Sequence, residues 1–301
     1  MSFPLGIFKY APASIQPWMR STLVQALKLG PLPKHLAFIM DGNRRYARSM
    51  GEDVIEGHEF GFLALKKLLE FLLHLDVEVV TVYAFSIENF GRPQREVDKL
   101  MDMAKKRLVE MCQHGFLLDR YSVRIRILGR LDLLPDDVRR SCMKAQELTS
   151  KNTGRTLNFL FPYTSRDEIA ASIRNVSRQC VEGEMDISEI SPETLEQNLY
   201  TYPSPPPDIL IRTSAVNRLS DYMLWQVSPL SPTSVPRSYG FPSMYMELID
   251  LDELDRQANE GTKLYFIPPS WPEITVVDLL PIILGWQAEE MMKNCKKWLI
   301  T

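Results

Sequence analysis

No run of about 20 apolar residues occurs in this 301-residue chain, so no segment reads as a membrane-spanning helix. The nearest candidate, residues 276–286, is too short and carries Asp278 and Pro281. The first residues lack the apolar core of a secretory signal, so no export signal is expected. Cysteine is scarce: Cys112, Cys142, Cys180 and Cys295 are the only four, and none forms a Cys-x-x-Cys pair. That argues against a zinc site and for reduced, structural thiols in a cytosol-facing protein. There is no excess of positive charge. Lys and Arg number 35 against 38 Asp and Glu, a net of -3, so a globally basic nucleic-acid binder is not expected. There is no Gly-x-x-x-x-Gly-Lys-Ser/Thr loop, and no Gly-x-Gly-x-x-Gly follows the first apolar run. P-loop and dinucleotide sites are therefore not expected. No internal repeat is found.

What is present is a soluble composition, 45% hydrophobic and 24% charged, sufficient for a sizeable core. Strand-like and helix-like segments alternate. Residues 35–41 form a short apolar run that ends in Gly42-Asn43, which predicts a buried strand and a turn. Residues 58–75 predict a helix, with Lys66, Lys67, Glu70 and His74 on one stripe. Strands are expected at 77–85, 123–128, 156–161, 209–212 and 264–267, and helices at 93–113, 135–150, 165–181, 192–200 and 275–297. Ser165 is a candidate cap for its helix. This alternation predicts an α/β fold: a mostly parallel central sheet flanked by helices. Residues 1–33 are read as an N-terminal helical segment. Its short helix at 14–29 mixes Trp18, Leu23, Val24 and Leu27 with Arg20 and Lys28. Two readings fit it: a helix on a membrane surface, or a helix packed on the domain. The domain spans 34–301, with an inserted loop at about 229–262 and a short helix expected near 247–258.

In open parallel sheets, ligands bind beyond the carboxyl ends of the strands. Asp41, Gly42, Asn43, Arg44 and Arg45 follow the first strand. Aspartate offers a hard oxygen to Mg²⁺, glycine admits phosphate to the backbone, and arginine binds phosphate with two prongs. The same residues also suit a helix cap with solvated arginines. Ser86, Ile87, Glu88, Asn89, Phe90 and Arg92 follow the second strand, where Ser86 and Asn89 again suit helix caps. After the strand at 209–212 come Arg218, Leu219 and Ser220. Arg212, Arg218 and the nearby serines suit a second diphosphate, or a surface loop with an Arg218–Asp221 ion pair.

Segments 35–48 (HLAFIMDGNRRYAR), 56–62 (EGHEFGF), 81–92 (TVYAFSIENFGR), 95–101 (REVDKLM), 209–214 (ILIRTS), 218–226 (RLSDYMLWQ) and 271–273 (WPE) occur in this order. Together they resemble the cis-prenyltransferases, above all the eukaryotic dehydrodolichyl diphosphate synthase catalytic subunits. The resemblance covers about 31–228 and 263–290. It implies a parallel sheet with an elongated apolar product tunnel. It implies Mg²⁺-dependent condensation of isopentenyl diphosphate with an allylic diphosphate such as farnesyl diphosphate, giving a long-chain product for dolichol synthesis and protein glycosylation. By the resemblance, Asp41 handles metal and diphosphate. Gly42, Asn43, Arg44 and Arg45 form the allylic diphosphate loop, with Tyr46 and His58 beside it. Ser86 to Phe90 flank the reacting centre, Asn89 assists proton loss, and Arg92 binds diphosphate. Arg212, Arg218, Leu219 and Ser220 belong to the isopentenyl diphosphate site.

Four departures bear on this. Ala215 stands where many members have glycine, and Val54 where some have arginine. Lys263 stands where bacterial members place a metal-binding glutamate, which leaves Asp41 as the only expected protein carboxylate on the metal. The chain ends at Thr301 without the Arg-x-Gly tail of homodimeric members. By the resemblance, such a chain pairs with a Nogo-B receptor-like accessory subunit at the cytosolic face of the endoplasmic reticulum membrane, with peripheral membrane contact. The alternative is a non-catalytic binding or scaffold subunit of the same complex.

Overall fold

Six apolar runs form the strands β1 (His35–Ile39), β2 (Val79–Tyr83), β3 (Val123–Leu128), β4 (Arg155–Leu160), β5 (Ile209–Arg212) and β6 (Lys263–Phe266). They pair in the order β3-β4-β2-β1-β5-β6, every neighbour parallel. The helices are α1 (Gln16–Leu27), α2 (Asn43–Ser49), α3 (Val54–His74), α4 (Gln94–Met111), α5 (Leu117–Arg120), α6 (Asp136–Leu148), α7 (Ser165–Val181), α8 (Pro192–Gln197) and α9 (Val276–Ile300). The computed structural model describes residues 16–112, 117–228 and 261–300. The expected insert, apart from residues 261 and 262, and its short helix lie outside them.

Central strands β1 and β5 are buried along their whole length, as a parallel sheet covered on both faces requires. Side chains alternate between the faces. Leu36 and Phe38 enter the large core with α3 and α4; Ala37 and Ile39 join Tyr163, Leu210 and Tyr222 on the other side. Edge strand β3 keeps Arg124 exposed, while Arg126 turns inward to the carbonyls of Tyr200 and Thr201, both at 3.1 Å.

Most expected elements appear within a few residues. Helix α3 starts four residues early, because Asp53 caps it by accepting from Ile55 N. Ser165 does not cap α7. Its neighbour Thr164 holds that position without a side-chain bond, and Ser165 Oγ instead accepts from Leu224 N at 2.9 Å. In α1, Val24 and Leu27 are buried in the main core, and Gln287 Nε2 donates to Leu27 O at 2.6 Å. The described part of this helix therefore packs on the domain. The four cysteines are free. Among the described residues, no helix is long and apolar enough to cross a membrane.

From β1 the chain steps to β2, crosses to the sheet edge at β3, returns to lay β4 between β3 and β2, and then places β5 and β6 on the other flank. The order reverses at β1/β5. That switch point opens a crevice beyond the carboxyl ends of the two strands.

Candidate active site

Ile39, the last residue of β1, pairs with Tyr83 on one side and Arg212 on the other. The segments that follow therefore emerge side by side. The first turns sharply at Gly42, whose φ is 101°. Only glycine suits this position, since a Cβ would also lie 2.7 Å from Ser214 Oγ. Asp41 does not cap α2. Its Oδ1 accepts from Gly42 N at 2.7 Å and its Oδ2 accepts from Arg212 Nη2 at 2.8 Å, with Arg45 Nη2 at 3.8 Å. The Asp41 carbonyl accepts from Thr213 Oγ1 at 2.7 Å and from Trp271 N at 2.8 Å. Buried Trp271 also donates Nε1 to Gly61 O at 2.8 Å, which clamps the Asp41 turn to α3.

Arg212 is 3% exposed. A buried guanidinium needs partners, and it finds the Asp41 carboxylate, Ser220 Oγ at 2.7 Å and the Arg218 carbonyl. This bonding curls residues 212–220 into a loop and leaves the Arg218 side chain exposed. The Arg218–Asp221 pair does not form; Asp221 binds Arg166 at 2.7 Å. Ala215 keeps a glycine-like backbone, φ 51°, because its N–H donates to Ile267 O at 2.9 Å. The glycine departure therefore leaves the loop's course intact.

At the end of β2, Ser86 and Asn89 form a reciprocal cap. Ser86 Oγ accepts from Glu88 N at 3.2 Å, and Asn89 Oδ1 accepts from Ser86 N at 3.1 Å. The cap reading holds for both, and both also line the cavity below the turn. Asn89 Nδ2 has no partner among the described residues and is available to donate. Arg92 pairs with Glu96 at 3.0 Å; burial, then the nearby Arg44 charge, lowers its pKa. His58 is held neutral, its pKa lowered to about 4 by burial, with the Arg92 and Arg44 charges adding to the shift.

Two cavities share this wall. A basin of about 340 Å³ is lined by Asp41, Gly42, Asn43, Arg44, Arg45, Arg48, His58, Arg92 and Arg218. A second, of about 400 Å³, shares Asp41, Asn43, Arg44, His58, Arg92 and Arg218, adds Ser86, Glu88, Asn89, Arg212 and Ser220, and runs down to Phe62, Leu65, Leu100, Leu108 and Phe159. Thirteen of the seventeen expected site residues thus converge. Tyr46, Ile87, Phe90 and Leu219 line neither cavity. Tyr46 packs on Phe60, Phe90 on Phe85, Leu219 joins the smaller core, and Ile87 N donates to Tyr163 O at 3.2 Å. Sequence reasoning missed Arg48; its place one turn after Arg44 and Arg45 on α2 was the available signal.

Three buried polar atoms here lack a partner among the described residues: Asn43 Oδ1, His58 Nε2 and Arg212 Nε. Buried polar atoms are rarely left unpaired, so these point to a polar ligand. Among the described residues no group of three metal-ligating side chains occurs. Lys263 does not approach Asp41. It lies level with Leu36 across the sheet, at the amino end, and pairs with Glu289 at 3.0 Å. One carboxylate suits Mg²⁺ shared with a diphosphate, because that ion keeps waters and takes its other ligands from phosphate. Asp41, with lone pairs to spare and 31% of its side chain exposed, fits that role.

The family described as "Putative undecaprenyl diphosphate synthase" matches residues 39–236. A human dehydrodolichyl diphosphate synthase complex subunit is 47% identical over 87% of this chain and 69% of its own length. A Schizosaccharomyces pombe subunit of the same description is 39% identical over 90% of this chain and 91% of its own. The crystal structure of lavandulyl diphosphate synthase from Lavandula x intermedia, in complex with dimethylallyl diphosphate, superposes with a TM-score of 0.70 at 26% identity, covering 85% of this chain and 95% of that one. The chain belongs to this prenyltransferase family of transferases.

Proposed function

We propose that the chain condenses isopentenyl diphosphate with an allylic diphosphate, farnesyl diphosphate serving as primer, to build a long polyprenyl diphosphate. One observation carries this reading: Asp41 and Arg212 meet at the switch point, where an arginine-lined basin shares its wall with a cavity that runs down to apolar side chains. A diphosphate with a prenyl tail matches both halves.

Asn43, Arg44, Arg45 and Arg92 would hold the allylic diphosphate; Arg212, Arg218 and Ser220 would hold isopentenyl diphosphate. Two diphosphates repel each other, and the arginines offset that repulsion most strongly where water is excluded. The allylic C1–O bond breaks, a carbon–carbon bond forms to the terminal alkene carbon of isopentenyl diphosphate, and a proton leaves its C2. Charge gathers on the departing diphosphate, where fixed donors stabilise the transition state. Asn89 would orient substrate through its free Nδ2, while its Oδ1, bonded to Ser86 N, keeps a second lone pair with which to assist proton loss. Mg²⁺, held by Asp41 and substrate oxygens, would supply further neutralisation of diphosphate charge.

The subunit role belongs to the same proposal. Two relatives are described as complex subunits, which supports a heteromer; the accessory subunit in this proposal is one like the Nogo-B receptor. The proposed setting is the cytosolic face of the endoplasmic reticulum membrane, with the product entering dolichol synthesis. Incubation with farnesyl diphosphate, labelled isopentenyl diphosphate and Mg²⁺, with and without that partner, is expected to yield labelled polyprenyl diphosphate. Farnesyl diphosphate binding without turnover in the complete heteromer would support a scaffold role instead. Neither binding nor product would defeat both readings.

A further inference from the structure

Helix α7 begins without a cap of its own, since Thr164 makes no side-chain bond there. The start of a helix leaves backbone N–H groups unpaired. Asp221, 55 positions after Arg166, supplies the acceptors. Its carbonyl accepts from Ser165 N at 2.8 Å, and its Oδ1 accepts from Arg166 N at 3.0 Å. Its Oδ2 accepts from Arg166 Nε at 2.7 Å. The positive end of the helix dipole favours this carboxylate, whose side chain is 10% exposed.

The grip matters because the loop it holds is strained. Ser220, Asp221 and Met223 have φ of 51°, 59° and 49°, the left-handed region that side chains disfavour. Such residues cost about 1–3 kcal/mol each and persist only where their surroundings fix them. The first of them, Ser220, is the residue whose Oγ accepts from Arg212 on the cavity wall. Its place therefore depends on how firmly Asp221 is held.

Arg166 also reaches a second loop. Its Nη2 donates to Glu88 Oε1 at 2.9 Å. Glu88 lines the larger cavity, and its N–H donates to Ser86 Oγ at 3.2 Å. One guanidinium thus ties the loop of Arg218 and Ser220 to the loop of Ser86 and Asn89. Arg166 and Glu88 are 72% and 66% exposed. A pair this exposed contributes only about 0–1 kcal/mol to stability, so its consequence lies in geometry rather than in folding.

We propose that Asp221 and Arg166 are positioning residues: Asp221, gripped by the first turn of α7, sets Ser220 and Arg212 for isopentenyl diphosphate, and Arg166 fixes that loop against the one at the reacting centre. The inference rests on the elongation reading above and deepens it. Neither residue lines either cavity, so both act through others.

The test uses the full chain with its accessory subunit. It measures KM for isopentenyl diphosphate, Kd for farnesyl diphosphate, turnover and melting temperature. Arg166→Met keeps the backbone N–H on Asp221 and removes both side-chain bonds. Asp221→Asn keeps an acceptor for that N–H and removes the charge. Each is expected to raise KM for isopentenyl diphosphate by about fivefold or more, with Kd for farnesyl diphosphate within about twofold and melting temperature within about 3 °C. Arg166→Lys, an ammonium in place of a fork, is expected to recover KM only in part. The turnover losses of Arg166→Met and Glu88→Gln are expected to be less than additive, since both break the same tie. An unchanged KM for isopentenyl diphosphate in both Arg166→Met and Asp221→Asn overturns the inference. So do a matching loss of farnesyl diphosphate binding and melting temperature, which marks a purely structural role, and strictly additive turnover losses. A wild-type chain that forms no product overturns the elongation reading itself, and this inference with it.

Discussion

Asp41 and Arg212 depend on each other. The carboxylate neutralises a guanidinium that is 3% exposed, and the guanidinium fixes the carboxylate beneath the arginine basin. Substitutions at Asp41 should therefore separate charge from structure. Asp41→Asn keeps the oxygen that accepts from Gly42 N and removes the charge. Turnover is expected to fall by about 100-fold or more, with circular dichroism unchanged. Asp41→Ala also leaves Arg212 without its counter-charge. Its melting temperature is expected to drop further, though by less than the about 3–5 kcal/mol of a fully buried pair, since Asp41 is a third exposed. The sequence shows that Asp41, Arg212 and Arg218 have the right chemistry. It does not show that Arg212 holds the Arg218 carbonyl, because that bond depends on how residues 212–220 curl.

At the scale of elements, the site depends on how closely α3 approaches α2. A Cβ added at Gly57 would lie 2.2 Å from Asn43 O, and one at Gly61 would lie 2.4 Å from Asn43 Oδ1. Alanine is the better helix former by about 1 kcal/mol, so propensity alone favours Gly57→Ala. The overlap with backbone outweighs it. Gly57→Ala is expected to lose about 1–3 kcal/mol in a chemical melt and to weaken farnesyl diphosphate binding by displacing Asn43. Helix 58–75 is legible from its apolar stripe, and the segment 56–62 is legible as a motif. The reason for its glycines is not, since α2 and α3 meet only in the fold.

At the scale of the molecule, buried histidine couples the fold to pH. His35 is fully buried, with Nε2 2.7 Å from Thr81 Oγ1 and Nδ1 2.6 Å from Pro205 O, so it joins β1, β2 and the loop before β5. Burial lowers its pKa to about 4, against 6.5 for the free side chain. Between those values the unfolded chain takes up a proton that the folded chain refuses. Stability should therefore fall as pH drops from about 6.5 towards 4. His58 adds a slope of the same sign. Glu168, whose pKa burial raises, adds one of the opposite sign above its ordinary range. The difference between wild type and His35→Asn isolates the His35 contribution. The variant is expected to show a shallower loss of melting temperature over this window, whatever its stability at neutral pH.

The sequence by itself determined the α/β alternation, the parallel sheet and the residue types at the strand ends, because apolar periodicity and turn chemistry act over a few neighbours. The long motifs in register determined the family. Only the tertiary structure decided the sheet order and its reversal at β1/β5, which bring Asp41 within 2.8 Å of a residue 171 positions away. It also set Lys263 at the far end of its strand, paired with Glu289. It joined Arg107 of α4 to Glu59 of α3. These pairings join residues remote in sequence. Their energies come from burial and counter-charge, which exist only once the elements have packed.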